Sequence, residues 1–249
     1  MSTGMRSGVQ VISLRGATKR FGGLVAVDGV DFDVTEHEVM GLIGPNGSGK
    51  STTLNLISGA LTPTDGEITL RGTPVTGLPA RTIARRGVSR TFQLVRLLPS
   101  MNVIDNVMAG AVFGHRRRWG PGARRHVMEV LDKVGLAQRA KAPVGGLTYI
   151  DTKRVELARA LAGEPEILLL DEWLAGLNPT ELHAGIELIH ALRDEGRTII
   201  MVEHVMDAIR SLCDRCVVMS SGRKIAEGTP EEVLSEPEVV RAYLGDDDA

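Results

Sequence analysis

The sequence is poor in the residues that build several common kinds of site. Its 249 residues include two cysteines and 3% aromatic residues. The cysteines form one C-x-x-C pair, Cys213 and Cys216, with no second pair or nearby histidine to complete a zinc set. Because Cys216 opens an apolar run, core packing is favoured over a redox role, and reduced thiols fit the cytoplasm. So few aromatic residues also argue against a base-stacking platform for RNA.

Neither a strong net charge nor a long apolar run is present. Lys and Arg number 29 against 31 Asp and Glu, which argues against a broad surface for nucleic acid. No run of about eighteen apolar residues occurs, and the N-terminus lacks the apolar segment of a signal peptide. We therefore expect a chain that does not span a membrane and that another protein would hold there. With 43% hydrophobic residues, it can bury a substantial core.

The most informative stretch is Gly44–Thr52, which fills the phosphate-loop pattern G-x-x-x-x-G-K-S. It lies between the apolar run Val39–Ile43 and residues 53–57, which can continue as a helix. Glycines let backbone N–H groups turn inward, and the helix N-terminus adds its own. We predict a polyphosphate cradle, with Lys50 at the terminal phosphates and the Ser51 hydroxyl on Mg²⁺. The cradle comprises Gly44, Pro45, Asn46, Gly47, Ser48, Gly49, Lys50, Ser51 and Thr52.

Alternating strand and helix patterns predict an α/β fold with a mainly parallel sheet and helices on both faces. Near the N-terminus, Val9–Leu14 and the alternating residues 30–34 predict strands, the second of them half-buried. Apolar residues at helical spacing predict a helical insertion at about 94–150 within a single domain, 1–249. A C-terminal helical tail is predicted at 228–249, with a frayed acidic end at 246–248.

Two local patterns refine this outline. Asn178–Glu181 and Thr229–Glu232 each place a capping residue, then Pro, then Glu three residues after the cap, which predicts helix starts. His115–Arg125 combines Gly, Pro and five arginines, which predicts an exposed connector. A solvated loop is its simpler interpretation. Contact with acidic loops of a partner or with anionic lipid head groups is the functional one.

Asp171 and Glu172 end the apolar strand Ile167–Leu170. Ligands of open α/β folds bind at this carboxyl edge of the sheet. An Asp there can hold Mg²⁺ directly or through water, and a neighbouring Glu can orient or deprotonate the water that attacks a γ-phosphate. Alone, the pair is equally typical of a solvated turn, but the phosphate loop favours the catalytic interpretation.

Over nearly its whole length the chain resembles the ATP-binding-cassette (ABC) transporter ATPases. Gln93 matches the Q-loop glutamine, residues 176–178 match the D-loop, and His204 matches the switch histidine. The resemblance implies that Gln93 contacts Mg²⁺ and the lytic water and relays nucleotide state to a transmembrane partner. It implies that His204 contacts the γ-phosphate and that Phe21 stacks on adenine. The cofactors implied are ATP and Mg²⁺. The implied fold is a P-loop NTPase (RecA-like) core with a mainly parallel sheet, an antiparallel β part near the N-terminus and an inserted helical subdomain.

Four stretches carry a finer resemblance, to the ATPase subunits of branched-chain amino-acid importers. They are Arg20–Val27, Arg90–Leu97, Ala175–Glu181 and residues 227–245. The resemblance implies a peripheral subunit at the cytoplasmic face of the cell membrane. Its expected partners are a second ABC ATPase subunit, transmembrane permease subunits and, indirectly, a solute-binding protein, with no nucleic acid. Because the sequence ends at the last of these motifs, we expect no further regulatory domain.

Two positions depart from the family pattern. The signature, L-S-G-G-Q or L-S-Y-G-[DQ]-Q, appears here as Leu147–Arg154. The resemblance implies that Thr148, Tyr149 and Ile150 close over the ATP of the other subunit. Ile150 stands where the pattern has glycine, so we expect it to crowd that approach. A helix from Arg154 follows. Trp173 stands directly after Glu172, where the family usually has proline. Two interpretations are left: Trp173 only packs beside the loop, or it changes how Glu172 and the D-loop are held.

Three alternative functions follow from these features. An importer of another small polar solute, such as an amide or urea, would use the same type of ATPase. An ATP-gated dimerisation module would hydrolyse weakly because of Ile150, although the intact Glu172 and His204 speak against it. A soluble cassette acting on ribosomes or DNA is the least favoured, because two cassettes or a long coiled coil would be expected in one chain.

Overall fold

The computed structural model describes residues 8–244, so the acidic end predicted at 246–248 lies outside the described residues. In chain order, the first elements are β1 (Gln10–Phe21), β2 (Leu24–Thr35), β3 (Val39–Ile43), α1 (Lys50–Ile57), β4 (Asp65–Leu70), β5 (Thr73–Pro74), α2 (Ala80–Arg85) and β6 (Val88–Arg90). The middle elements are α3 (Val103–Phe113), α4 (Gly120–Lys133), α5 (Tyr149–Ala162), β7 (Ile167–Asp171), α6 (Pro179–Asp194) and β8 (Thr198–Val202). The last are α7 (Met206–Leu212), β9 (Arg215–Ser220), β10 (Arg223–Gly228), α8 (Pro230–Ser235) and α9 (Pro237–Leu244).

Two sheets organise these elements. The larger has the strand order β10-β9-β3-β8-β7-β6, and all its neighbours are parallel except the β10-β9 pair at its edge. Every residue of β3, β7 and β8 is buried, as expected for parallel strands covered on both faces. The smaller sheet is antiparallel, in the order β2-β1-β4-β5. The predicted mainly parallel core with an antiparallel part near the N-terminus is confirmed.

The larger sheet has a hydrophobic core on each face. One core lies between the two sheets and includes residues of α1, while the other joins the large sheet to helices that include α3, α4 and α5. Cys213 and Cys216 are buried free thiols in the second core. A Cβ added to Gly41 would lie 2.9 Å from Cys216 Sγ and 3.0 Å from Cys213 Sγ, so these thiols fill the space beside β3. The core-packing interpretation of the cysteine pair is confirmed.

Three predicted boundaries were wrong. β1 continues past Leu14 to Phe21, because β2 pairs with it up to the turn at residues 22–23. The predicted connector is loop only to Trp119, and Gly120 begins α4 with Pro121 in its first turn, where proline is tolerated. α5 begins at Tyr149 and not at Arg154, because the Thr148 side chain accepts a hydrogen bond from the Asp151 N–H and caps the helix. Among the described residues, no helix is long and apolar enough to cross a membrane.

We predict that Thr229→Ala lowers the free energy of unfolding by about 1 kcal/mol. Thr229 and Glu232 form a reciprocal capping box at the start of α8, as the sequence indicated, so the substitution removes the acceptor for the Glu232 N–H. Chemical denaturation measures the change. Thr180→Ala, the same substitution within the first turn of α6 and not at its cap, is the control. Equal losses in both variants would contradict a specific capping role.

Candidate nucleotide site

The predicted cradle, Gly44–Thr52, forms a continuous loop from β3 into the first turn of α1. Gly44 has φ 145° and Gly49 has φ 104°, both in the left-handed region that favours glycine. A Cβ at Gly44 would lie 2.0 Å from the Met219 carbonyl oxygen, and one at Gly49 would lie 2.5 Å from the Ala26 carbonyl oxygen. The loop is therefore packed too closely against β9 and β2 to accept any other residue at these two positions.

Lys50 is held inside this loop with 5% of its surface exposed. Its Nζ donates hydrogen bonds to the carbonyl oxygens of Gly44, at 2.7 Å, and Pro45, at 2.8 Å. Burial lowers the pKa of the Lys50 ammonium, while the charges of Glu172 and Asp171 act in the opposite direction. Lys50 therefore lies within electrostatic reach of the two carboxylates at the end of β7.

Asp171 ends β7 in an ion pair with Arg90 of β6. Arg90 Nη2 donates to Asp171 Oδ2 at 2.7 Å, and both side chains are at most 8% exposed. Arg90 also donates to Asn55 Oδ1, at 2.6 Å, and Ser58 Oγ, at 3.2 Å, in and just after α1. Within residues 8–244, the buried Asp171 Oδ1 has no hydrogen-bond partner. One carboxylate oxygen is thus fixed by arginine and the other is free to accept, which fits a Mg²⁺ ion or its water.

The Glu172 carboxylate contacts two other predicted site residues, Gln93 and His204. Gln93 Nε2 donates to Glu172 Oε2 at 2.7 Å, and His204 Nε2 lies 3.1 Å from Glu172 Oε1. The His204 contact is a hydrogen bond when Nε2 carries the proton. The three side chains follow β6, β7 and β8, three neighbouring strands of the large sheet. The structure thus brings Glu172, Gln93 and His204 together, and the charge of Glu172 reaches Lys50, the lysine predicted at the terminal phosphates.

The other expected contact residues lie apart from this group. Phe21 ends β1 with 46% of its surface exposed, as a ring that receives a base must be, and Lys19 Nζ lies 5.2 Å from its centroid. Across residues 8–244, no hydrogen bond joins Thr148, Tyr149 or Ile150 to the phosphate loop. Tyr149 is 53% exposed, and its ring would contact a Cβ at Gly176 of the D-loop at 3.3 Å.

Ile150 does not present its side chain as the sequence led us to expect. It is 7% exposed and lies in the first turn of α5, with φ in the ordinary negative range. The side chain therefore packs within its own subunit, and the outward face of this turn belongs to Tyr149. Thr148 is exposed and its hydroxyl oxygen accepts from the Asp151 N–H, so among residues 8–244 its O–H hydrogen remains available to donate.

Sequence reasoning missed three buried charged residues around the site: Arg90, Lys153 and Glu203. Glu203 is fully buried, and its Oε1 accepts from the Leu174 N–H at 2.6 Å. Burial raises the pKa of the Glu203 carboxyl to about 7, against which the Leu174 N–H and the charge of Lys153 act. A glutamate directly before His204, at the end of an apolar strand, was the available signal. No local signal distinguishes Lys153 from an exposed helical lysine.

A phosphate loop and paired carboxylates on one edge of a parallel sheet define the class of P-loop NTPases. Within this class, a model described as ABC transporter matches residues 27–175, and one described as branched-chain amino acid ATP-binding cassette transporter matches residues 223–249. The chain belongs to the ABC transporter family and is one of its ATP-binding, ATP-hydrolysing subunits.

Proteins similar to this chain over nearly its whole length are ATP-binding proteins of branched-chain amino acid transport. The chain is 42% identical over 252 residues to the high-affinity branched-chain amino acid transport ATP-binding protein LivG of Salmonella typhimurium, covering 95% of this chain and 98% of LivG. It is 40% identical to BraF of Pseudomonas aeruginosa, which has the same description, again covering 95% of this chain and 98% of the relative. The predicted resemblance to this group of ATPases is confirmed.

Solved structures confirm the fold. The ADP conformation of MJ1267, an ATP-binding cassette of an ABC transporter, superposes with a TM-score of 0.86 at 29% identity, covering 95% of this chain and 99% of that one. A dimeric post-hydrolysis state of the cassette MJ0796, bound to ADP and Pi, gives a TM-score of 0.80 at 27% identity, with coverage of 88% and 98%. Cassettes similar to this chain therefore bind nucleotide and form dimers.

We predict that Glu203→Gln stabilises the protein more at pH 8 than at pH 5. The carboxyl has an ordinary pKa of 4.5, which burial raises to about 7, so between these pH values the folded state keeps the proton that the unfolded state loses. Stability from the neutral carboxyl is therefore lost as pH rises from about 4.5 to 7, by on the order of 3 kcal/mol, and glutamine cannot lose a proton.

Urea unfolding of parent and variant at the two pH values measures this difference. Glu67→Gln, the same substitution at an exposed position of β4, is the matched control. An equal pH trend in the two variants would contradict the assignment to Glu203.

Proposed function

We propose that this chain energises a membrane ABC importer of branched-chain or related amino acids. The observation that carries the substrate class is the similarity along 95% of the chain to LivG and BraF, together with the match of residues 223–249 to the branched-chain model. We do not propose that this subunit binds the transported solute. The identity of the solute is therefore assigned from similar proteins and not from a pocket in this chain.

The proposed ATP site uses the residues at the carboxyl edge of the large sheet. The loop amides of Gly44–Thr52 and the Lys50 ammonium hold the phosphates and stabilise charge that develops during transfer. Bound Mg²⁺ would neutralise phosphate charge, and Ser51, Asp171 and Gln93 would hold it, consistent with the free oxygen of Asp171.

Water activation is assigned to Glu172. Its carboxylate is held by Gln93 and His204, so it has a fixed direction in which to accept a proton from the attacking water. His204 would also contact the γ-phosphate, and adenine would stack on the exposed Phe21 ring. Gln93 would report the state of the nucleotide to a permease in contact with the adjacent surface.

The proposed active assembly is a head-to-tail dimer of cassettes. Thr148, Tyr149 and Ile150 at the N-terminus of α5 would complete the ATP site of the second subunit, where the helix N-terminus and the free Thr148 O–H favour a phosphate. The burial of Ile150 supports close approach of this turn. The subunit would lie at the cytoplasmic face of the membrane, bound to permease subunits that receive solute from a binding protein.

We predict that Glu172→Gln lowers steady-state ATP hydrolysis to below about a hundredth of the parent rate, because the amide cannot take a proton. ATP binding should persist, and the variant should accumulate as an ATP-bound dimer. Phosphate release and size-exclusion chromatography with MgATP measure the two effects. Glu187→Gln, an exposed glutamate on α6, is the control. Unchanged hydrolysis in Glu172→Gln would refute the role of Glu172.

We predict that deletion of the gene for this chain abolishes energy-dependent uptake of labelled leucine, isoleucine or valine in the source cell. Complementation with the parent gene should restore uptake, and complementation with the Glu172→Gln gene should not. Parallel assays with labelled urea and a short amide test the alternative substrate class. If the deletion abolished amide or urea uptake and left branched-chain amino acid uptake normal, the proposed substrate would be wrong and the alternative class would be favoured.

A further inference from the structure

Lys153 is buried to 2% exposure on α5, although lysine is seldom buried without partners for its charge. Its Nζ donates hydrogen bonds to the carbonyl oxygens of Glu172, at 3.0 Å, and Trp173, at 2.9 Å. The same Nζ lies 5.1 Å from the centroid of the Tyr149 ring, within range of a cation–π contact. Two carbonyls and one aromatic ring therefore surround this ammonium group.

α5 and the turn after β7 each donate hydrogen bonds to the other. The Trp173 indole Nε1 donates to the Lys153 carbonyl oxygen at 3.2 Å, and Trp173 is itself only 2% exposed. On the other side of the turn, the Leu174 N–H donates to the buried Glu203 carboxyl group. Trp173, which replaces the proline of the family pattern, thus contributes to the hold on residues 172–174 and is more than neighbouring packing.

Backbone geometry explains why this turn needs external support. Glu172 has φ 49°, in the left-handed region, which costs a residue with a side chain free energy. Hydrogen bonds from an ammonium group are stronger than those between neutral groups. By binding the Glu172 carbonyl, Lys153 stabilises this conformation. It thereby helps to set the direction of the carboxylate that Gln93 and His204 contact.

Lys153 is also one helical turn from Tyr149, at the end of α5 that carries the signature residues. Under the proposed function, this end of α5 meets the ATP of the second subunit, whereas Glu172 acts on the ATP of its own subunit. We propose that Lys153 is a positioning residue that couples the two, so that closure of α5 on one ATP orients Glu172 at the other. This inference rests on the proposed function.

We predict that Lys153→Met lowers kcat for ATP about tenfold while KM changes by less than about twofold. The apolar side chain has a similar length but cannot bind either carbonyl oxygen, so orientation of Glu172 is lost while the phosphate loop is intact. The Hill coefficient for ATP should also fall toward 1, because the two sites no longer communicate. Lys133→Met, at an exposed lysine of α4 paired with Glu195, is the matched control.

Three results would overturn the proposal. One is a parental kcat and Hill coefficient in folded Lys153→Met. Another is a fall in kcat that disappears when folded protein is counted by thermal melting. If Lys153→Met does not fold, Trp173→Phe tests the same contact. It removes the indole N–H together with the five-membered ring, so kcat is measured per folded protein. A twofold to fivefold fall in kcat is expected, and a parental value would contradict the coupling.

Intrinsic fluorescence gives a measurement that does not depend on turnover. The chain has two tryptophans, Trp119 and Trp173, so Trp119→Phe leaves Trp173 as the reporter. We expect MgATP to change the emission of Trp173 in that background. The change should be lost when Lys153→Met is added, with nucleotide affinity retained. An equal change in both backgrounds would show that Lys153 does not connect α5 to the turn.

Failure of the inference is distinguishable from failure of the proposed function. The parent and Glu172→Gln are assayed first. If the parent hydrolyses ATP and Glu172→Gln does not, the ATPase assignment stands, and the Lys153 variants test the coupling alone. If the parent does not hydrolyse ATP, the proposed function is refuted before Lys153 is considered.

Discussion

The parallel pairing of β3, β8, β7 and β6 is the constraint on which the site depends. Parallel neighbours have their carboxyl ends on the same edge of the sheet, so the segments that follow them must converge there. The phosphate loop follows β3, Glu172 follows β7, His204 follows β8, and Gln93 follows β6. Four segments separated by up to about 160 residues of chain become one site through strand order alone.

Buried charges then fix the parts of this edge relative to one another. Arg90 joins β6, β7 and α1 through one guanidinium group, and Lys153 joins α5 to the turn that carries Glu172. Such groups are costly to remove from water unless paired, so each tolerates only a narrow range of positions for its partners. This cost restricts the positions of Asp171 and Glu172, where the chemistry needs direction.

The parts of the fold and site that the sequence predicted are those marked by residue types close together in the chain. The phosphate loop needs glycines that touch β9 and β2, and the helix starts at Asn178 and Thr229 need caps, so residue type alone marks them. The starts of α4 and α5 were misplaced because Trp119 carries no capping side chain and Thr148 stood within a motif interpreted as a loop. Ile150 was expected to crowd the site because it replaces a glycine of the family pattern. Its side chain is buried instead, because α5 begins at Tyr149 and directs it inward.

The class of protein, the phosphate loop, the paired carboxylates and the family could all be predicted from the sequence, because residue types at fixed spacing along the chain indicate each of them. Folding brings Gln93 and His204 to the Glu172 carboxylate, and it encloses the turn of Glu172 with Lys153, Trp173 and Glu203. Those contacts join residues from separate strands and helices, and burial changes what a lysine or a glutamate does. Neither partner nor burial can be read from a residue and its neighbours in the chain.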